Sequence, residues 1–382
     1  MRIIVNSEKP VIMKNKKQNE KISASFLSIL IMVVSIISCD KDSDDSTIPE
    51  TPEVKPVAWA VGDQDSTNHA AVFYSADTGN TWTRQGANAD ALSGMDALNL
   101  FVIDTNQIWV VGSNRSIART TDGGSTWESV NPPDVDPAST IECISVVNGS
   151  EIWISGGNLN TGFVCTTSDE GENWTVIEKD FFQGFLMQGI LAINGQVIYA
   201  VGNNSSASAQ TMGRICRTTD GGTTWDTISL AENYNKVASW IGVAATNENH
   251  VVVYGQTNHY AFTTNGGTTW TNDTLMDAST GTADINHLIM LDDQTWWAAM
   301  DMGNILKTND GGQTWTHQGS NCSGNMFLMG IDAYNEDLAI VTGQAVGWPP
   351  SGKILQTNDG GNTWMCPETT DFSMLKVTFA PH

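Results

Sequence analysis

Basic residues are scarce in this sequence: 18 Lys and Arg stand against 42 Asp and Glu, which leaves a formal net charge of -24 over 382 residues. A chain this acidic repels phosphate backbones and anionic lipid headgroups over a Debye length. The charge therefore excludes nucleic acid as a partner. It also excludes membrane attachment by surface electrostatics, so attachment requires insertion or a covalent lipid.

The sequence has an apolar run at residues 26–37, but this run is shorter than the roughly 20 residues that a transmembrane helix needs. Four lysines between residues 14 and 21 precede it, in the order typical of a secretory signal peptide. The run ends in Ile36-Ile37-Ser38-Cys39, which resembles the lipobox of bacterial lipoproteins and implies a lipid on Cys39. A single transmembrane anchor is the alternative to the lipid anchor. Translation starts at Met1 or at Met13.

Residues 40–55 are rich in Asp, Glu and Pro and contain no aromatic residue, so they cannot form a packed core. We therefore expect a signal peptide at 1–38, an acidic flexible tether at 39–56 and a folded domain at 57–382. The expected location is the outer membrane or cell surface of a Gram-negative bacterium, with membrane contact only through the lipid on Cys39. A periplasmic and a surface-exposed orientation both fit the sequence.

An eight-residue phrase of the form Ser/Thr-x-Asp-x-Gly-x-Thr-Trp occurs seven times, with some substitutions. Its tryptophans are 45 to 51 residues apart, a length that fits one four-stranded propeller blade. We expect each acidic side chain to accept hydrogen bonds across a hairpin turn, with glycine at positive φ and the Trp packed on the sheet. These positions, expected to be structural rather than catalytic or calcium-binding, are Asp77, Asp122, Asp169, Asp220, Asn265, Asp310 and Asp359.

Runs rich in β-forming residues precede each phrase, such as 108–112 and 116–119, and no segment indicates a helix in the repeats. Four strands in each of seven repeats predict an all-β fold, a seven-bladed β-propeller of four-stranded blades. The first repeat lacks its innermost strand, whereas a further β-rich run, 372–380, follows the last phrase. The C-terminal strand is therefore predicted to join the first blade and close the ring.

The repeated phrase resembles the Asp-box, or bacterial neuraminidase repeat. The longer pattern, Trp-x-Val-Gly, a strand, and then Arg-Thr-Thr-Asp-Gly-Gly-x-Thr-Trp, resembles the photosystem II assembly and stability factor family over residues 57–364. This resemblance implies a seven-bladed propeller that acts as a binding scaffold, with an arginine patch that matters for partner binding. Only Arg119 and Arg217 occupy the arginine position of the pattern here, and a photosynthetic role is not implied.

Asp-box proteins include sialidases and endoglucanases, so a surface glycoside hydrolase is the alternative function. A sialidase needs three arginines that converge on a carboxylate. Five arginines follow Cys39, and only Arg115 and Arg214 are expected near the face opposite the repeated turns. The Arg-Ile-Pro phrase of sialidases is absent, although paired carboxylates on loops would still fit an enzyme. The sequence therefore favours a non-catalytic scaffold.

No Cys-x-x-Cys motif is present and the six histidines are scattered, so we expect no metal and no cofactor. Five cysteines follow Cys39, an odd number. Cys165 and Cys216 occupy the same position in successive repeats, which favours two small apolar residues over a disulfide. A disulfide between Cys322 and Cys366 is left open, as is any pairing of Cys143.

The loops between second and third strands, and those between blades, vary among the repeats while the repeated turns do not. We expect the variable loops to gather at one face, the upper face, and to bind a cell-envelope protein or a glycan. Aromatic side chains there would suit sugar stacking or a protein hot spot. The candidates are Phe181, Phe182, Tyr234, Trp240, Tyr260 and Trp348, with packing as the alternative role for Trp240 and Trp348.

Overall fold

Each sequence repeat forms one antiparallel sheet of four strands, and the described residues of the computed structural model contain seven such sheets. The structure describes residues 55–158, 161–177, 179–204, 213–230, 239–275, 281–319, 322, 324–347 and 351–381. Cys39, Tyr234 and Trp348 therefore lie outside the described residues. We number the sheets as blades 1 to 7 and name the strands of each blade from the propeller axis outward.

The strands have the following bounds. Blade 1 has β28 Met374–Phe379, β1 Ala58–Gln64, β2 Ala70–Ser75 and β3 Thr83–Gln85; blade 2 has β4 Ala97–Val102, β5 Ile108–Gly112, β6 Ile117–Thr120 and β7 Glu128–Ser129; blade 3 has β8 Thr140–Val147, β9 Glu151–Gly157, β10 Gly162–Thr167 and β11 Thr175–Ile177; blade 4 has β12 Leu186–Ala192, β13 Ile198–Asn203, β14 Gly213–Thr218 and β15 Asp226–Thr227. Blade 5 has β16 Trp240–Ala245, β17 Val251–Gly255, β18 His259–Thr263 and β19 Thr271–Thr274; blade 6 has β20 Ile285–Met290, β21 Trp296–Met300, β22 Ile305–Thr308 and β23 Thr316–Gln318; blade 7 has β24 Met326–Ala333, β25 Ala339–Ala345, β26 Gly352–Thr357 and β27 Met365–Thr370.

Because neighbouring strands are antiparallel, each blade has turns at two opposite ends. The lower face carries the turns between first and second strands and the repeated turns between third and fourth strands. The upper face carries the turns between second and third strands and the connections to the next blade. The short 3-10 segments of the described residues, Asp90–Leu92, Ser113–Arg115, Asp180–Phe182 and Asp301–Gly303, all lie in upper-face turns or connections.

The ring closes between the two ends of the chain. Strand β28 pairs with β1, with Ala58 opposite Phe379 and Val61 opposite Lys376. Blade 1 thus takes its innermost strand from the C-terminus, as predicted, and the predicted all-β propeller of seven four-stranded blades is confirmed. Closure gives β1 a partner strand along its inner edge.

The core lies between adjacent blades, where an aromatic residue of a second strand meets the Trp of the next repeated turn. Trp59 of blade 1 packs edge-on against Trp127 of blade 2, with ring centroids 6.3 Å apart. Trp297 of blade 6 packs likewise against Trp364 of blade 7 at 6.2 Å. Edge-to-face aromatic pairs add stability beyond the area that they bury. The repeated Trp therefore joins blades as well as covering its own sheet.

Candidate functional site

The repeated turns of the lower face use their acidic side chains internally. Asp310 accepts hydrogen bonds from the Thr308 hydroxyl (2.7 Å), from the Thr314 N–H (2.8 Å) and from the Thr314 hydroxyl (2.6 Å). Hydrogen bonds from the side chain and backbone of Thr314 lower the pKa of this carboxyl. Asn265 makes the same set of contacts with its amide. These contacts are the ones that a structural role in the turn requires.

Three of the predicted upper-face aromatics are buried, so the expectation that they form exposed platforms is wrong. The exposed fractions of Phe182, Trp240 and Tyr260 are 1%, 0% and 1%. Phe182 ends a 3-10 segment and turns inward onto Trp225, with centroids 5.9 Å apart. Trp240 begins β16, and the Tyr260 hydroxyl donates a 2.8 Å hydrogen bond to the Gly312 carbonyl of the next blade.

Of the other three candidates, only Phe181 lies in the described residues. It is half-buried against Phe182, with ring centroids 4.9 Å apart. Its contacts are those of a packing residue at the edge of the blade 3 to blade 4 connection. The binding role predicted for Phe181, Tyr234 and Trp348 stays a prediction.

The upper face exposes other apolar side chains, which no sequence pattern indicated. Met302, Phe327 and Val346 have exposed fractions of 64%, 38% and 50%. Met302 lies in the 3-10 segment Asp301–Gly303 of blade 6, which packs against β24 of blade 7. Phe327 is the second residue of β24, and Val346 follows β25 in the same blade. We call these three residues the upper-face patch.

Two pairs of carboxylates flank the upper-face patch around the ring. Asp284 and Asp301 belong to blade 6. Burial raises the pKa of Asp301, and the charge of Asp284 raises it further. Asp63 and Asp96 lie on the other side, in blades 1 and 2, where burial and the charge of Asp96 raise the pKa of Asp63. The patch is thus an apolar surface between two negatively charged sites.

The inner strands enclose a cavity of about 200 Å³ in the central channel. Each inner strand shifts its register by a bulge near its upper end, and the extra residue lines the cavity. These bulge residues are Leu98, Glu142, Gln188, Ile241, Asn286, Met329 and Leu375. The residues that follow them are Asn99, Cys143, Gly189, Gly242, His287, Gly330 and Lys376.

Glycine at 242 gives Tyr254 access to this channel. A Cβ atom there would lie only 2.2 Å from the Tyr254 hydroxyl, so no larger residue fits. Burial raises the pKa of Tyr254 well above its ordinary value, which keeps the phenol protonated. Its ring lies 6.3 Å from that of His287, edge-on. The channel therefore contains a phenol, an imidazole, a thiol and an amine.

Cys322 and Cys366 form a disulfide, which settles the pairing that the sequence left open. The bond joins the connection before blade 7 to β27, with 6.0 Å between the Cα atoms. Cys165 and Cys216 are buried free thiols, as predicted, and burial raises the pKa of each to about 12. Cys143 is also a free thiol.

The described part of the chain contains no group of three or more His, Cys, Asp or Glu side chains placed to hold a metal ion. Within the same residues, no helix has the length and apolar character needed to cross a membrane.

Two comparisons of the sequence with known proteins point to the same family. Residues 96–233 match the family described as photosynthesis system II assembly factor YCF48. The chain is also 30% identical over 169 residues to the photosystem II assembly lipoprotein Ycf48 of Synechococcus sp. (strain CC9902). That match covers 43% of this chain and 45% of the relative, so it spans less than half of the relative's length. The chain is similar to this photosystem II assembly factor family over those residues.

Two solved structures share this fold. YCF48 bound to D1 peptide has a TM-score of 0.55 and is 20% identical, covering 83% of this chain and 88% of that one. YCF48 from Cyanidioschyzon merolae has a TM-score of 0.53 and is 16% identical, covering 81% and 97%. The family match and the Synechococcus relative confirm the resemblance to the assembly-factor family that the repeats indicate, whereas these two structures show the shared fold alone.

Of the two side chains at the pattern's arginine position, Arg119 joins two blades. Arg119 forms ion pairs with Glu128 (2.5 Å) and with Glu170 of the next blade (3.2 Å), and it lies over the Trp109 ring. Arg217 lies over the Tyr199 ring at 5.6 Å. Both side chains lie at the lower side of their blades, away from the upper-face patch.

Proposed function

We propose that this protein is a non-catalytic scaffold that holds an extended segment of a partner protein on its upper face. The upper-face patch is the observation that carries the proposal, because three exposed apolar side chains lie at the upper ends of two adjacent blades. Exposed apolar residues that cluster in this way are typical of interaction sites. An exposed apolar residue also occurs on the outer strand β27, Met365, and it serves as a control.

The chemistry of the partner segment follows from the flanking charges. Carboxylates on both sides of the patch favour a segment with apolar residues in its middle and Lys or Arg on either side. The solved relative whose title reads YCF48 bound to D1 peptide supports a peptide as the ligand. A glycan, the other ligand class considered from the sequence, is a competing outcome of the test.

The proposal includes export and a lipid anchor on Cys39. The Cys322–Cys366 disulfide supports an oxidising compartment, since disulfides are rare in the cytosol. The Synechococcus relative is named a lipoprotein, which supports a lipid on this chain as well. Placement at the outer membrane or cell surface remains part of the proposal.

Binding to selected peptides tests the proposal. A random peptide library is selected on the immobilised protein, and the affinity of a recovered peptide is measured by calorimetry for the wild type, Met302→Ser, Phe327→Ser and the control Met365→Ser. An apolar side chain that becomes buried contributes about 1.5–3 kcal/mol, so each patch variant should weaken binding roughly tenfold or more. Loss of binding in Met365→Ser alone, or binding to a glycan array but to no peptide, would contradict the proposal.

A further inference from the structure

His287 and Lys376 meet in the central channel, although they belong to blades 6 and 1. The Nε2 atom of His287 lies 2.5 Å from the Nζ atom of Lys376. The Nδ1 atom of His287 accepts a 3.0 Å hydrogen bond from the backbone N–H of Ile331. Both ring nitrogens are therefore engaged, one by a backbone donor and the other by the amine.

The two hydrogen bonds of His287 determine where its proton lies. A backbone N–H always donates, so Nδ1 carries no proton and Nε2 must carry one in a neutral imidazole. An ammonium group at Nζ would point a second proton at this N–H. The contact is a hydrogen bond only if the amine is neutral and its lone pair accepts from Nε2–H. The geometry thus requires Lys376 to be unprotonated.

The surroundings of Lys376 support the neutral amine. Burial is the main cause that lowers its pKa, and the nearby Cys143 and Asp332 act in the opposite direction. The Asp332 carboxylate is itself engaged by the Ala333 N–H (2.9 Å) and the Phe379 N–H (2.8 Å), and by the hydroxyl of Thr378. Burial raises the pKa values of Asp332 and of the Cys143 thiol, which weakens their negative charge beside the amine.

The remaining titratable groups around the channel are Glu142 and Tyr254. Burial raises the pKa of both, so each is shifted toward its neutral form. The Glu142 carboxylate also accepts a hydrogen bond from the Thr140 hydroxyl of its own strand. His287, whose pKa is lowered well below its ordinary value by burial and by Lys376, stays neutral. Every group that faces the amine is therefore consistent with an uncharged lysine.

The amine is also accessible. Lys376 and His287 both line the cavity of about 200 Å³ and keep part of their surface exposed to it. A cavity of this size admits a small organic molecule as well as water. An unprotonated lysine has the nucleophilic lone pair that Schiff-base lysines use.

We propose that the central channel is a covalent site for small aldehydes, with Lys376 as the nucleophile and His287 as its proton donor. When the aldehyde enters, the Nε2–H hydrogen bond of His287 shifts from Nζ to the carbonyl oxygen, which frees the Nζ lone pair. This lone pair forms a bond to the carbonyl carbon while the carbonyl oxygen takes the Nε2 proton. The added amine then returns one proton to Nε2, which gives a neutral carbinolamine. Loss of the hydroxyl group as water, with the second amine proton, leaves the imine. No oxidant or further reactant is needed.

Another lysine of the described chain, Lys353, serves as an internal control. Its amine donates a 3.1 Å hydrogen bond to the Cys322 carbonyl. Donation to a carbonyl fits the protonated form, which has no lone pair to attack an aldehyde.

Reductive alkylation of the intact protein tests the site. Acetaldehyde and cyanoborohydride are added at pH 7, 8 and 9, and the rate at each lysine is measured by peptide mass mapping. An ordinary lysine, with a pKa of about 10.4, is neutral in roughly one molecule in 2,500 at pH 7. Lys376 should therefore react on the order of 100-fold faster than Lys353 at pH 7, allowing for restricted entry.

The pH profile separates a neutral amine from a merely accessible one. The rate at Lys376 should stay nearly constant from pH 7 to 9, whereas the rate at an ordinary protonated lysine rises about tenfold per pH unit below its pKa. Alkylation of Lys376 that rises in parallel with that of Lys353, or no alkylation of Lys376 at any pH, would overturn the proposal. The measurement uses the wild-type protein, so it does not depend on a variant that folds.

Discussion

The carboxylate of Asp332 in blade 7 accepts a 2.8 Å hydrogen bond from the backbone N–H of Phe379 in blade 1. The Thr378 hydroxyl donates to the same oxygen at 2.9 Å. These bonds cross from β24 to β28, the two inner strands that meet where the ring closes. The last repeat therefore holds the C-terminal strand by side-chain hydrogen bonds, while β1 holds it by backbone pairing.

Removal of the closing strand should destabilise the whole propeller. A chain that ends at Asp371 keeps β27 but loses the buried side chains of Met374, Val377 and Phe379. Each such side chain contributes about 1.5–3 kcal/mol, so we expect the Tm to fall by roughly 10 °C or more. Thermal unfolding followed by circular dichroism measures the change.

The matched control lacks only the exposed residue Pro381 and the last residue, His382. Its Tm should equal that of the full chain. An unchanged Tm in the chain that ends at Asp371 would show that β28 does not stabilise the ring.

The first repeated turn holds Thr78 in a strained backbone conformation, and substitution by glycine should relieve that strain. Thr78 has a φ of +67°, and the equivalent Gly123 of blade 2 also has +67°. A β-branched residue rarely adopts this conformation, and its penalty is roughly 1–2 kcal/mol. Thr78→Gly should therefore raise the Tm by roughly 2–4 °C in calorimetry. The reciprocal variant Gly123→Thr should lower it, and equal Tm values for both would contradict the argument from strain.

The acidic side chains of the repeated turns should stabilise the fold without serving the partner. Asp310→Ala loses three hydrogen bonds, whereas Asp310→Asn keeps the contacts that Asn265 makes in blade 5. We expect the alanine variant to lower the Tm by roughly 2–4 °C and the asparagine variant to have a smaller effect. Peptide affinity should be unchanged in both, and its loss in a folded Asp310→Ala protein would assign the lower face to binding.

The contribution of the Asp310 carboxylate to the stability of the folded state should also depend on pH. Its folded pKa is lowered from the ordinary value of 3.8, so the ionised carboxylate stabilises the folded state above that value. This stabilisation is lost as the pH falls through the lowered folded pKa. The difference in Tm between the wild type and Asp310→Ala should be full at about pH 7 and should shrink below about pH 4. A difference that grows toward low pH would contradict the assigned direction.

Partner binding should depend on the ionised form of Asp301. Burial and the charge of Asp284 raise the pKa of Asp301, and a cationic side chain of the partner interacts with its ionised form. Peptide affinity should therefore fall as the pH falls through the raised pKa, and it should also fall with salt. Calorimetry on Asp301→Asn should show a flatter pH profile. An identical profile in wild type and variant would exclude Asp301 from the site.

The fold could be predicted because the phrase that ends in Trp82 and in Trp364 is repeated at a regular spacing between them. Seven copies fix the number of blades, and the surplus strand at 372–380 indicates how the ring closes. The disulfide could not be predicted, because Cys322 lies in a connection whose path over blade 7 is set by tertiary packing.

The upper-face binding residues were predicted less well than the fold. Phe182 and Tyr260 lie in or beside upper-face segments, but their rings turn inward because they bury more area between blades than on the surface. The exposed Met302 and Val346 have no sequence signal apart from their place in upper-face turns. The channel residues could have been found by aligning the inner strands, since His287 and Lys376 stand where three other repeats have glycine.

The position of a bound peptide on the protein shows directly whether the upper face is the binding surface. A library-selected peptide that carries a photoreactive phenylalanine analogue is crosslinked to the protein, and the attachment site is mapped by mass spectrometry. We expect attachment at or beside Met302, Phe327 or Val346 on the upper face. Attachment at Met365 on the outer strand, or at the repeated turns around Asp310, would contradict the account.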